Sequence, residues 1–130
     1  MNFALHVTCS PYSHQGNLSA LNFAKALLKT EHQLGRVFFS SDGVHTGCSL
    51  AVVPQDEIDI PAQWSELALQ HNVELILCVS ACLKRGILDK DESIRYEKNA
   101  HNVSKPFVIS GLGQLAEAAI TSDRLVTFGV

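Results

Sequence analysis

Charge is scarce in this chain: only 18% of its 130 residues are Asp, Glu, Lys or Arg, and the formal net charge is -3. No cluster of Lys and Arg alternates with aromatics, which removes the electrostatic footprint of direct nucleic-acid binding. If RNA is involved, another chain holds it. No apolar run approaches the length of a membrane span. The opening MNFALHVTCS is apolar but short, has no basic leader and is interrupted by His6 and Thr8, so it does not read as a signal peptide. Low-complexity stretches, internal repeats and linkers are missing as well, so one domain over residues 1–130 is expected. Neither a Walker lysine nor a G-x-G-x-x-G fingerprint occurs, which argues against a nucleotide site. Cys9, His14, His45, Cys48 and Cys78 all fall on strand-end loops, yet no two of them form the C-x2-4-C or H-x3-5-H pair of structural zinc sites. No cofactor and no metal are expected.

What is present is apolar. A hydrophobic fraction of 46% fills one core and leaves a surplus that partner chains could cover. A cytoplasmic location is expected, where thiols stay reduced, so Cys9, Cys48, Cys78 and Cys82 read as free thiols rather than a disulfide framework.

Residues 2–8 (NFALHVT) read as a buried strand, ended by the turn formers of SPYSHQG. Leu18, Leu21, Ala24, Leu27 and Leu28 recur at spacings of three and four, which predicts a helix over 17–31. A strand over 36–40 (RVFFS) and an irregular loop over 44–57 follow. Pro61 opens a helix with Trp64, Leu67, Ala68 and His71 on one face. VELILCV is continuously apolar, as expected of a strand covered on both faces. Asp89 and Glu92 have capping-box spacing for a helix to about residue 99. A strand (105–110), a helix (111–122) and a last strand (124–128) complete the chain. Strands alternating with helices predict a three-layer α/β/α fold on a mostly parallel five-stranded sheet. Reactive groups then collect at the carboxyl edge of the strands, where segments 9–16, 41–48, 78–80 and 110–113 fall.

Cys78 ends the central strand, and SACLKRG after it predicts a short helix closed by Gly86. A sulfur at a helix start meets unpaired N–H groups and the positive end of the peptide dipoles, which favour the nucleophilic thiolate. Ser80 is the expected cap, with Cys78 just outside the helix. The opposing reading is that Cys78 is small core filler, as thiols ending apolar strands often are. Cys82 falls one turn inside the helix and faces the core, and C-x-x-x-C lacks the C-x-x-C spacing of redox pairs. SGLG (110–113) reads as glycines that allow close backbone approach beside the Cys78 strand end. His14 and His45 are candidate neighbours of the thiol. Lys84 and Arg85 are candidates for docking, against the plainer reading of a solvated helix end.

Taken in order, FALHVTCSPYSHQGNLSALNFAKALL, VFFSSDGV, LILCVSACLKRG and SGLGQLAEAAITSDRLVTF resemble the DsrE-like sulfur-carrier proteins, in their TusD-type branch, over almost the whole chain. The resemblance implies a DsrE-like sulfurtransferase that carries sulfur as a cysteine persulfide on Cys78. It further implies a heterohexamer with TusB-like and TusC-like subunits, passing sulfur from a TusA-like donor toward a TusE-like acceptor for 2-thiolation of tRNA wobble uridine. The tRNA would be met only indirectly. Cys9, Cys48 and Cys82 have no counterpart role in that pattern. A DsrE-type carrier in dissimilatory sulfur oxidation would use the same cysteine and fold, and a non-catalytic subunit with Cys78 packed in the core is the third reading.

Overall fold

The computed structural model describes residues 1–130. Its elements are β1 (Asn2–Val7), α1 (Gly16–Leu27), β2 (Gln33–Phe39), a 3-10 segment (Ser41–Gly47), α2 (Ile60–His71), β3 (Glu74–Cys78), α3 (Val79–Lys84), α4 (Lys90–Arg95), β4 (Phe107–Ser110), α5 (Gly113–Thr121) and β5 (Arg124–Phe128). The five strands form one sheet in the order β4-β3-β2-β1-β5, and every neighbouring pair is parallel. A wholly parallel sheet puts all strand carboxyl ends on one edge. The segments after β1, β2, β3 and β4 therefore share a rim, as expected. No helix is long and apolar enough to cross a membrane.

Alternation along the strands sorts side chains between the two faces. On one face Phe3 meets Phe23 of α1, and Phe39 meets Trp64 of α2 edge-on at 5.5 Å between ring centroids. Leu5, Val7, Val37, Leu75 and Leu77 follow the same parity and are fully buried. The opposite face is covered by α5, whose grip is polar. Arg36 donates to the Gln114 carbonyl at 2.9 Å and pairs with Glu74 at 2.9 Å and Glu117 at 3.1 Å. Burial opposes the Arg36 charge, but the two carboxylates outweigh it and hold the guanidinium protonated.

Several boundaries differ from those expected. α1 stops at Leu27 rather than near residue 31 because its end tightens into three-residue bonds, Lys29 N–H to Ala26 and Thr30 N–H to Leu27. The Thr30 hydroxyl donates to the Leu27 carbonyl as well. β2 begins at Gln33, three residues early, because buried Leu34 pairs with Phe3 and Gly35 continues the strand instead of turning it. The expected irregular region is helical in its first part, with Val44, Thr46 and Gly47 packed inward. His71 is exposed and does not join the buried face of Trp64, Leu67 and Ala68. α4 stops at Arg95; Asp89 caps it by accepting from Glu92 N–H at 2.8 Å, while Glu92 turns toward Arg95 rather than completing the box.

Candidate functional site

The apolar run ELILC carries β3 to the rim, and its last residue pairs in register with Ser110 of β4. Strand alternation sets Cys78 with Glu74 and Ile76, on the face that α5 covers. Cys78 is itself the N-cap of α3, in extended conformation, and its side chain takes no bond from the helix N–H groups. The polar atom against its Sγ is the Ser80 hydroxyl at 3.4 Å. Ser80 thus does not cap the helix as expected; it is an exposed first-turn residue beside a thiol that is itself only 4% exposed. The sulfur is one hydroxyl away from solvent. α3 ends as expected at Gly86, whose φ of +69° is the left-handed conformation glycine adopts without strain.

The other three thiols have different surroundings. Cys82 has no exposed surface, and burial, then Cys78 and Asp89, push its thiol up to about 12 despite the opposing pull of Arg85. Burial also raises Cys9, partly offset by backbone N–H groups, and its sulfur lies against Gly16. Cys48 is half-buried and its sulfur accepts from Asn102 Nδ2 at 3.5 Å. His14 is exposed and His45 half-buried, and the hydrogen bond at the Cys78 sulfur comes from neither. No three His, Cys, Asp or Glu side chains converge as a metal site would require.

A buried amide that sequence reading missed organises the rim. Asn17, fully enclosed, donates through Nδ2 to the Cys9 carbonyl at 3.1 Å and to Thr46 Oγ1 at 2.9 Å, while its Oδ1 accepts from Trp64 Nε1 at 2.9 Å. The Thr46 hydroxyl in turn donates to the Gly43 carbonyl at 2.7 Å. One side chain therefore ties together the segments after β1 and β2 and the start of α2. Every polar atom of the amide is used, the condition under which a buried polar group fixes geometry rather than weakening the core. The 3-10 segment so held presses on β3: a Cβ on Gly47 would collide with Leu77, the residue before Cys78. Asp42 of the same segment accepts from Arg85 Nε at 3.0 Å, and Arg85 also donates to the Ala81 carbonyl. Arg85 is thus an internal tie rather than a solvated helix end, whereas Lys84 is exposed. The close approach expected at SGLG does not occur there, since Gly111 and Gly113 face open space; beside the Cys78 strand it is Gly47 that makes room, for the Leu77 side chain.

Comparison with known proteins agrees with this architecture. The DsrE/DsrF-like family model matches residues 1–128. The chain is 49% identical to an inferred sulfurtransferase DsrE of Allochromatium vinosum over 129 residues, 99% of each chain. It is 42% identical to a sulfurtransferase TusD homolog of Pseudomonas aeruginosa, covering 99% of this chain and 98% of the other, and 44% identical to sulfurtransferase TusD of Salmonella enteritidis, covering 98% and 100%. Among solved structures, the ychN protein of E. coli superposes with a TM-score of 0.79 at 23% identity, covering 98% of this chain and 99% of that one. A protein of Methanobacterium thermoautotrophicum superposes at 0.64 and 15% identity, covering 96% and 97%. These structural likenesses establish the fold.

Proposed function

The chain belongs to the DsrE/DsrF-like family and is a sulfurtransferase, and we propose that Cys78 is the residue that carries the sulfur, as a persulfide. The Cys78 thiolate attacks the outer sulfur of a donor persulfide. One S–S bond forms as another breaks, the donor thiol leaves, and Cys78-S-SH remains. An acceptor thiolate then attacks that terminal sulfur and restores the Cys78 thiolate. Each step is an exchange between thiols and persulfides with no net oxidation, so the chemistry asks only for a reachable sulfur and a docking surface.

The observation that carries this reading is the placement of Cys78 at the β3-α3 junction against exposed Ser80, while Cys82 four residues on is sealed and its thiol firmly protonated. Low exposure of the bare thiol is compatible with the role, because the added S–S bond sets the reactive atom about 2.05 Å beyond the thiol sulfur. Cys78→Ser, loaded with a donor persulfide and weighed intact by mass spectrometry, is expected to gain no sulfur, while Cys48→Ser gains one atom like the wild type. Sulfur retained by Cys78→Ser would remove Cys78 from the mechanism.

We further propose the setting of the TusD relatives: assembly with TusB-like and TusC-like subunits, a TusA-like donor, a TusE-like acceptor and 2-thiolation of tRNA wobble uridine as the end use. The acidic net charge supports indirect contact with tRNA, because phosphate backbones repel such a surface. A second reading draws on the 49% identity to the Allochromatium protein, namely a DsrE-type carrier in sulfur oxidation using the same cysteine. Deleting the gene separates them. Loss of wobble 2-thiouridine marks the first; intact tRNA with impaired oxidation of reduced sulfur marks the second.

A further inference from the structure

Between residues 37 and 83 the chain contains no Lys or Arg but six acids, Asp42, Asp56, Glu57, Asp59, Glu66 and Glu74. Asp42 is neutralised by Arg85 and Glu74 by Arg36, but Asp56, Glu57 and Asp59 form no ion pair. These three sit on the loop between the 3-10 segment and α2, which also leaves large apolar side chains in water. Val52 is 92% exposed, Leu50 71%, and Ile58 and nearby Tyr12 are each about half exposed. Tyr12, Val52, Pro54, Asp56, Glu57 and Ile58 line one depression of about 390 Å³. The loop is anchored, not loose: Ser49 N–H donates to the Asn102 carbonyl at 2.7 Å, Glu57 N–H closes a turn on the Pro54 carbonyl, and Asp59 caps α2 through Ala62 N–H.

This surface stands on the same rim as Cys78. Tyr12 follows β1, and β1 and β3 are separated only by β2, so their carboxyl ends are two strand spacings apart, about 10 Å. A protein partner of ordinary footprint, about 800 Å² on each side, that touches the loop can reach the thiol as well. The charge selects the occupant. Nucleic acid and anionic lipid would both be repelled. A second copy placed two-fold on the same loop would oppose carboxylates to carboxylates. What complements unpaired acids among exposed aliphatic and aromatic groups is a polypeptide segment that mixes Lys or Arg with apolar residues. We infer that the loop over 49–59, together with Tyr12, is the docking surface for a basic, apolar segment of the protein that exchanges sulfur with Cys78. This rests on the persulfide reading of Cys78 and adds to it the chemistry of the partner.

The test uses two twelve-residue peptides, one alternating Lys with Leu around a single Cys and the other with Glu in place of every Lys. In the first arm, sulfur transfer from persulfide-loaded full-length protein is followed by mass spectrometry. The basic peptide is expected to be thiolated about tenfold faster than the acidic one, and the preference to fall below about twofold in Asp56→Lys/Glu57→Lys. Transfer to dithiothreitol, which needs no docking, should be unchanged in that variant. In the second arm, serine replaces the peptide cysteine and binding is measured by calorimetry, independently of any sulfur chemistry. Binding of the basic peptide should weaken about tenfold in the double variant, and about fivefold in Leu50→Ser/Val52→Ser. Equal binding of the two peptides to the wild type, or binding unchanged in both variants, overturns the docking surface. Failure of Cys78 to load or release sulfur while charge-selective binding persists overturns the carrier reading and leaves the docking surface standing.

Discussion

The two faces of the sheet are held by different physics. The face under α1 and α2 is a packed interior, where Trp64, Phe39, Leu5 and Leu77 have no exposed surface and the polar groups of Asn17, Thr46 and Trp64 satisfy one another. On the other face Ala4, Phe38 and Ile76 are buried too, but α5 itself packs lightly: it fully buries only Ala118, leaves Ile120 in water, and relies on Arg36 to tie it down. Most of the large fully buried side chains lie in the first layer, and Cys78 belongs by strand parity to the second. The reacting sulfur thus stands outside the layer that holds most of the packing, although both open onto the same rim.

Substitutions across the two faces should separate these roles. The largest expected effect is on chemistry: Cys78→Ser abolishes sulfur transfer in a loading assay while lowering stability by only about 1 kcal/mol, since Ser80 can pair with the new hydroxyl. Next is Trp64→Ala on the packed face, with a loss of about 3 to 5 kcal/mol in urea unfolding followed by circular dichroism. Asn17→Ala follows at about 2 to 3 kcal/mol, because it leaves the indole N–H and the Cys9 carbonyl buried without their partner. Arg36→Met on the other face should cost about 1 to 2 kcal/mol, its carboxylate partners being exposed enough to hydrate. If Arg36→Met matched Trp64→Ala, the two faces would be energetically alike and the contrast between them would fail.

The smallest effect is one of pH, again on the α5 face, where His6 lies beside Phe38 with its Nε2 against Ser40 Oγ at 2.7 Å. Burial holds the folded-state pKa of His6 below its ordinary value of 6.5. The unfolded chain therefore binds the proton first, so the contribution of neutral His6 is complete above pH 6.5 and is lost as pH falls through the folded value. The urea midpoint should decline from pH 7 toward pH 5 less steeply in His6→Gln than in the wild type. Identical slopes would mean that His6 is as hydrated in the folded chain as in the unfolded one.

Much of this architecture was legible in the sequence, for reasons visible in particular elements. β3 and β5 were recoverable because ELILC and RLVTF are continuous runs with turn formers beside them, and parallel direction alone then set which loops share the Cys78 rim, while the order of the strands came only with the structure. β2 is expected only from Arg36, where the apolar run begins, whereas it starts at Gln33, with Gly35 left without a partner where the register with β1 shifts. The Ser80 cap was misplaced by one local preference, since serine favours N-caps, whereas the chain begins its helix one residue after the thiol. The amide hub was invisible for a different reason. Thr46 and Trp64 lie 29 and 47 positions from Asn17, and a polar residue opening a helix gives no sign that tertiary packing will enclose it.

The hub also equips the molecule with an optical gauge. The chain holds a single tryptophan, and its indole is sealed and bonded to Asn17. Intrinsic emission excited at the indole therefore comes from one dry, hydrogen-bonded position at the root of the rim, and any loosening of the segments joined there must redden it. Sulfur loading on the opposite face should leave the colour untouched, so a shift on meeting a partner would mark movement carried through the sheet rather than chemistry at the thiol.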